Sequence, residues 1–431
     1  MSDPAGQGNV MDILSNIEAE LGPERDAALE QFLDLTRRPG MHNCTVLEKS
    51  VPIVGRCAFE PNVSPVTRHL ALRCLNNILY LSKPTRQLFV DSGFPKSLIE
   101  LMQSNDADDV SLSTRLMLLC SIDTTLDHAP FFERENLAEI INTNISRHAR
   151  DAFPSVGPTL NLLSTLAASG KNEYRFLDSL PPLLEMLDKV PIPSPPLGPL
   201  VSLLISSLFS IPFDDELPSS IVDKLVDILD LALPANINGE DADKTASPLM
   251  ALLLRAAGQP EVKLRLSARM IASDHDRTIA LGRGDSLPHK LIRLSAEITA
   301  RKLKYLTAWL LFKLSDEDPK QLIANVGYGY GIGIAQSLNL PLSPDDLETG
   351  KIVMRDSNVN PITGQRMDAE TADSQHDLAE MTQEEKEREA ERLFVLLRAT
   401  GAVNIENPVA QAIRSGHAEV LQDDYGDEMN S

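Results

Sequence analysis

Aromatic side chains are scarce, at 4% of the 431 residues with a single tryptophan, Trp309. Runs of β-branched residues are scarce too, and leucine carries most of the apolar content. Strands favour aromatic and β-branched residues, whereas leucine is a good helix former. An all-α fold is therefore expected before any motif is sought. Basic residues are outnumbered, 40 Lys and Arg against 62 Asp and Glu, for a net charge of −22. Nucleic acids and anionic membrane surfaces are bound by basic faces, so neither is an expected partner. No run approaches the ~18 apolar residues of a membrane span. The opening MSDPAGQGNVMD lacks the apolar stretch of a secretory leader. The four cysteines, Cys44, Cys57, Cys74 and Cys120, form no Cys-x-x-Cys pair. They read as buried free thiols in a reducing, cytoplasmic setting.

Catalytic patterns are missing as well. There is no G-x-x-x-x-G-K-[ST] to cradle a nucleoside triphosphate. The glycine-rich GYGYGIG (327–333) lacks the G-x-G-x-x-G spacing and no strand pattern precedes it, so it reads as a tight turn between helices. The eight histidines are scattered without metal-ligand spacing. The acidic pairs Asp214/Asp215 and Asp345/Asp346 sit in polar loops and read as solvated surface. No enzyme, cofactor or metal is implied.

What is present is a helical repeat. Leu29, Phe32, Leu33 and Thr36 fall at helical spacing in the opening segment. Residues 39–65, with Pro39, Gly40, Pro52, Gly55, Pro61 and Pro65, suggest short helices broken by turns. From Pro65, a stripe of Leu72, Leu75, Ile78 and Leu79 opens a pattern that recurs about every 44 residues, at STRLMLLCSI and again at PTLNLLSTLA. It continues more loosely through GPLVSLLISSLF and SPLMALLLRAAG to KYLTAWLLFKL. Such a period predicts an armadillo/HEAT superhelix, because one helical unit cannot bury its apolar face without stacked neighbours. The stretches 189–199 and 234–248 read as loops between repeats.

Past residue 342 the periodicity stops. Residues 343–431 hold 20 acids against 8 bases, so more than half of the net charge lies in a fifth of the chain. The expected organisation is a repeat array over 1–342, an acidic irregular linker over 343–380, a helix over 381–401 and an acidic tail over 402–431. In the helix, Thr382 and Glu385 fit a capping box, and Gly401 fits a stop. Its apolar stripe, Ala390, Leu393, Phe394 and Leu397, must be buried on the repeats or on a partner.

Two segments resemble armadillo ladder helices. In ALRCLNNI (71–78), Arg73 stands at the usual Trp position and Asn77 at the Asn position; in TAWLLFKL (307–314), these are Trp309 and Lys313. Residues four apart share a helix face. Trp309, between Leu306 and Leu310, reads equally as core. Three further motifs, NVGYGYGIGIA (325–335), NPITG (360–364) and MTQEEKEREAERL (381–393), resemble in that order the synembryn (Ric-8) family, in its fungal style.

That resemblance implies a chaperone and guanine-nucleotide exchange factor for G protein α subunits (Gα), not an enzyme. Its members take GDP-bound or nucleotide-free Gα, hold the Gα C-terminal helix in the concave groove, and reach the Ras-like domain with the helix beyond the repeats. Carried over, the groove residues are Arg73, Asn77, Trp309 and Lys313, and the docking residues are Leu393, Phe394 and Leu397. Ser343, with acids two and three positions on, is the phosphorylation candidate. A cytoplasmic monomer, brought to the cell cortex by its partner, is the implied setting. The competing reading is a generic armadillo adaptor for another peptide.

Overall fold

The computed structural model describes residues 4–38, 44–151, 156–168, 170–213, 217–233, 239–341, 358–360 and 362–369. It divides into two compact units, Met1–Gln365 and Arg366–Ser431. In the second, the described residues are 366–369, where the Arg366 guanidinium grips the Asp368 carboxylate at 2.6 and 3.0 Å.

Every regular element described in the first unit is a helix. Besides two 3-10 segments, Glu173–Ser179 and Asp276–Thr278, the α-helices in order are α1 (Pro4–Ala19), α2 (Pro23–Thr36), α3 (Cys44–Phe59), α4 (Pro65–Leu81), α5 (Lys83–Asp91), α6 (Pro95–Met102) and α7 (Ala107–Cys120). Then come α8 (Ala129–Arg134), α9 (Leu137–Asp151), α10 (Val156–Ala167), α11 (Leu180–Lys189), α12 (Pro199–Ser210) and α13 (Ser219–Ala232). The series closes with α14 (Gly239–Ala256), α15 (Pro260–Met270), α16 (Leu287–Ala296), α17 (Arg301–Leu314), α18 (Pro319–Val326) and α19 (Tyr328–Ser337).

Many of these helices start on a proline in their first two positions, among them α2, α4, α6, α12, α15 and α18. Proline is suited there, since its fixed φ is helical and the missing N–H has no intrahelical acceptor. Ser64 caps α4 by accepting from the Thr67 amide, and Asp318 caps α18 through the Lys320 amide. The 29 prolines thus punctuate the repeats more than they break them.

Packing forms two rows. Helices α2, α4, α7, α10, α12, α14 and α17 pack each on the next as a ladder, and α9, α11, α13, α15 and α16 pack in sequence as a second row. Leu72, Leu75, Leu116, Leu160, Leu204, Leu253 and Leu310 are fully buried along the ladder, as the periodicity predicts. Each such side chain contributes about 2 kcal/mol through burial. Polar side chains tie successive repeats together. Arg147 donates to Ser104 O at 3.1 Å, Lys224 to Asp188 O at 2.6 Å, and Arg255 to Leu208 O at 2.7 Å. Asp188 and Leu208 lie in the last turns of α11 and α12, where carbonyls lack helical partners, and Ser104 lies in the connection after α6.

Three segments depart from the sequence expectation. Residues 44–59 are one helix, with Pro52 inside it, not short pieces. Gly55 is the reason α3 can sit where it does, because a Cβ there would lie 2.4 Å from the Phe94 ring. Phe94 packs in turn on Phe59 and Phe89, with ring centroids 5.4 and 5.1 Å away. The supposed loop 234–248 is helical from Gly239, with Pro248 inside α14. Its early turns hold Asp243, whose carboxylate accepts from the Leu303 amide at 2.6 Å and so caps α17 from a neighbouring helix. Finally, the glycine-rich stretch is helix α19, and only Gly327, at φ +86°, makes the turn before it. A Cβ on Gly331 would meet Ile323 Cγ1 at 2.9 Å, so glycine lets α19 lie against α18.

Candidate functional site

The ladder row presents the four groove candidates on its solvent side, in two pairs. Arg73 and Asn77 sit one turn apart on α4. The Arg73 Nη2 donates to Asp108 Oδ2 on α7 at 2.9 Å, with nearly half of its side chain exposed. Asn77 Nδ2 donates the other way, to Thr36 Oγ1 on α2 at 2.9 Å. Trp309 and Lys313 sit one turn apart on α17. Trp309 is half-buried, edge-on to Tyr305 and Phe312 at centroid distances of 6.3 and 6.0 Å. Lys313 lies 3.8 Å from Glu317, a long and weak pair. The two pairs are not brought together; α7, α10, α12 and α14 lie between them in the row. Leu393, Phe394, Leu397 and Ser343 lie outside the described residues.

Between the pairs, the same row carries Arg115 on α7, which is exposed, and Asn161 and Ser164 on α10, Ser206 on α12 and Arg255 on α14, which are half-buried. Arg255 lies over the rings of Phe209 and Phe213, 5.5 and 4.1 Å from their centroids, and burial lowers its pKa. A chain of net charge −22 therefore shows Arg73, Arg115, Arg255 and Lys313 on one row of helices. Cations with small polar neighbours can receive an extended acidic segment or a terminal carboxylate.

Beside Lys313, a 730 Å³ depression is lined by Lys263, Leu264, Ile271, Gln321 and Asn325 among others. Leu264 is 75% exposed there. This depression was not legible from the repeat pattern, because α14, α15, α17 and α18 meet around it.

A charge cluster between α4 and α7 also went unread. Asp109, 2% exposed, receives Arg68 Nε at 2.8 Å, Arg68 Nη2 at 3.0 Å, Ser104 Oγ at 3.1 Å and a His69 ring nitrogen at 3.1 Å. Asp106 caps α7, and the Asp109 amide it accepts, ahead of the His69 charge, holds its pKa below the usual carboxylate range. His69, Asp106 and Asp109 bring potential ligand atoms within 4.8 Å of one another. Arg68 already occupies both Asp109 oxygens, which balances the charge without an ion.

The thiols described are inert. Cys57, Cys74 and Cys120 are free and buried; burial raises all three, Cys120 to about 12. His148, 6% exposed between α9 and α10, is pulled down to about 4 by burial and by Arg147. The unfolded chain binds this proton near pH 6.5 and the folded chain only near 4, so unfolding takes up a proton in between. Stability is then full above about pH 6.5 and falls by on the order of 1–3 kcal/mol toward pH 4. His148→Gln should flatten that slope in urea titrations run at stepped pH; an unchanged slope would assign it elsewhere.

Comparison with known proteins decides the family. The family model described as guanine nucleotide exchange factor synembryn matches residues 28–417. The chain belongs to the synembryn family. A synembryn-like chaperone of Schizosaccharomyces pombe is 32% identical over 193 residues, which is 41% of this chain and 36% of that protein. The alignment thus spans about a third of that synembryn's length. Among solved structures, a chain from work on a phosphorylation switch controlling the interaction between cadherin and beta-catenin superposes with a TM-score of 0.55. It is 11% identical and covers 81% of this synembryn and 61% of its own length. That likeness concerns the fold alone and agrees with the all-α armadillo superhelix expected from the repeat period. A designed armadillo repeat protein also matches, at 11% identity over 71% of this chain and 99% of its own, with a TM-score of 0.29. No helix of this synembryn, among the described residues, is long and apolar enough to cross a membrane.

Proposed function

We propose that this synembryn is a guanine-nucleotide exchange factor and folding chaperone for G protein α subunits. It holds the Gα C-terminal helix along the solvent side of the ladder row and stabilises the nucleotide-free state. The observation that carries the reading is the extent of the family match, which runs past the repeats through residues 381–401. A generic peptide adaptor has no reason to carry that segment. The cationic row on an acidic chain supports the same partner chemistry.

Exchange needs no catalytic group on this chain. A protein that binds nucleotide-free Gα better than the GDP form shifts the equilibrium toward GDP release, tenfold for each ~1.4 kcal/mol of preference. Holding the Gα C-terminal helix loosens the base-contacting loop attached to it. A second contact, through Leu393, Phe394 and Leu397, shields the opened domain from aggregation. One surface then serves both exchange and chaperoning.

Calorimetric titration tests this. Nucleotide-free Gα should bind at least tenfold tighter than Gα loaded with GDP. Phe394→Ala should weaken the nucleotide-free complex by about 1–3 kcal/mol and leave the melting temperature unchanged. Equal affinity for the two Gα states would remove the reading, and a large drop in melting temperature would return the helix to the chain's own fold.

A further inference from the structure

Arg277 lies in the short 3-10 turn Asp276–Thr278 that follows α15 and is 8% exposed. Among the described residues it makes no ion pair within 4 Å. Instead its guanidinium spreads over backbone carbonyls. Nη1 donates to Gly364 O at 3.1 Å, and Nη2 donates to Ala324 O at 2.8 Å and Asn325 O at 3.2 Å. Ala324 and Asn325 lie in the last turn of α18, where carbonyls lack helical partners and the helix dipole is negative. Gly364 belongs to the NPITG motif. One side chain therefore joins two of the motifs that sequence reading had singled out separately.

The motif is shaped for that seat. Asn360 Oδ1 accepts the Ile362 amide at 2.8 Å, and the Gly364 amide donates to Asn360 O at 2.8 Å. These bonds close a tight turn. Leu281 N donates to Thr363 O at 2.9 Å, and Gln365 Nε2 donates to Thr278 O at 3.1 Å. Val359, 5% exposed, packs with Ile323 of α18. Gly364 has φ +69°, and a Cβ on it would lie 2.3 Å from Leu281 Cδ1. Only glycine meets both demands.

We propose that Arg277 is a positioning residue: it seats the 358–365 turn on the last repeats and so fixes the point from which the chain continues to residues 366–431. Its role in exchange rests on the function proposed above; the seating itself does not. From Gln365 to the docking segment at Met381 the tether is 16 residues, whereas from Pro341, the last described residue before the turn, it is 40. For an irregular tether, the composition expected of 343–380, local concentration falls as roughly the −3/2 power of length. Releasing the turn then lowers the effective concentration of the docking segment by about fourfold.

The test uses the full chain with Arg277→Met, which keeps bulk but removes the donors, and Gly364→Val, which breaks the seat from the opposite side. Hydrogen exchange in peptides covering 277–284 and 358–365 should accelerate by about tenfold or more in both variants. Protection of α4 and α7 should not change. A Gα C-terminal peptide should keep its affinity, while the maximal rate of GDP release from Gα falls about fourfold. A merely structural arginine would lower both together. Unchanged hydrogen exchange in the two variants overturns the seating. Released turns with an undiminished GDP-release rate overturn the positioning. Should Arg277→Met loosen α14 to α19 as a whole, Gly364→Val decides. If the unmodified protein does not speed GDP release at all, the exchange reading fails, and hydrogen exchange alone decides the seating.

Discussion

Asp109→Ala should lower the unfolding free energy by about 2–4 kcal/mol in urea titrations. The carboxylate is buried and accepts two bonds from Arg68, one from Ser104 and one from His69. Its removal strips the Arg68 guanidinium, 22% exposed in its side chain, of the carboxylate that engages it at both oxygens and leaves Asp106 as a more distant counter-charge. Breaking a buried pair from one side costs about 3–5 kcal/mol, and the partial exposure of Arg68 trims that figure. The cost falls at the α4–α7 junction, where two ladder helices meet. Adding Arg68→Met should recover part of it, because the orphaned charge disappears. A loss below about 1 kcal/mol for Asp109→Ala, or strictly additive costs, would show that the cluster is surface decoration.

Reversing charge on the ladder row should act on binding and not on folding. Arg73→Glu together with Lys313→Glu is expected to weaken binding of a Gα C-terminal peptide by about 100-fold or more. Charge-assisted bonds to a carboxylate contribute about 1.5–3 kcal/mol each, and reversal adds repulsion. The melting temperature should stay within about 2 °C, since the Arg73–Asp108 and Lys313–Glu317 pairs are exposed or long and such pairs contribute under about 1 kcal/mol. Fluorescence anisotropy with a labelled peptide reads the affinity. Unaltered binding would take the tail off this row.

The fold was legible because leucine spacing carries the ladder. Leu72, Leu75, Ile78 and Leu79 fall on one stripe, and the stripe returns with each repeat. The departures share a cause: local propensity was overruled by contacts distant in sequence. Pro52 and Pro248 read as breakers, yet both lie inside helices whose other residues pack well. The glycines of 327–333 read as a turn, yet Gly331 serves close helix approach. On the candidate site, the spacing of four placed Arg73 with Asn77 and Trp309 with Lys313 on surface-facing sides of α4 and α17. Asn76, one position earlier, went unremarked, although it is the asparagine that reaches backbone on the next ladder helix, at Leu112 O, 3.2 Å away. Arg277 carried no signal at all. Its acceptors are backbone carbonyls 47 to 87 residues away, which no periodicity or motif registers.

The exchange claim is met most directly by GDP release from purified Gα, intact and lacking its C-terminal tail, with and without this protein. The account predicts faster release from intact Gα and no acceleration once the tail is deleted. Acceleration that survives tail deletion, or none with any Gα and no complex formed, would contradict it.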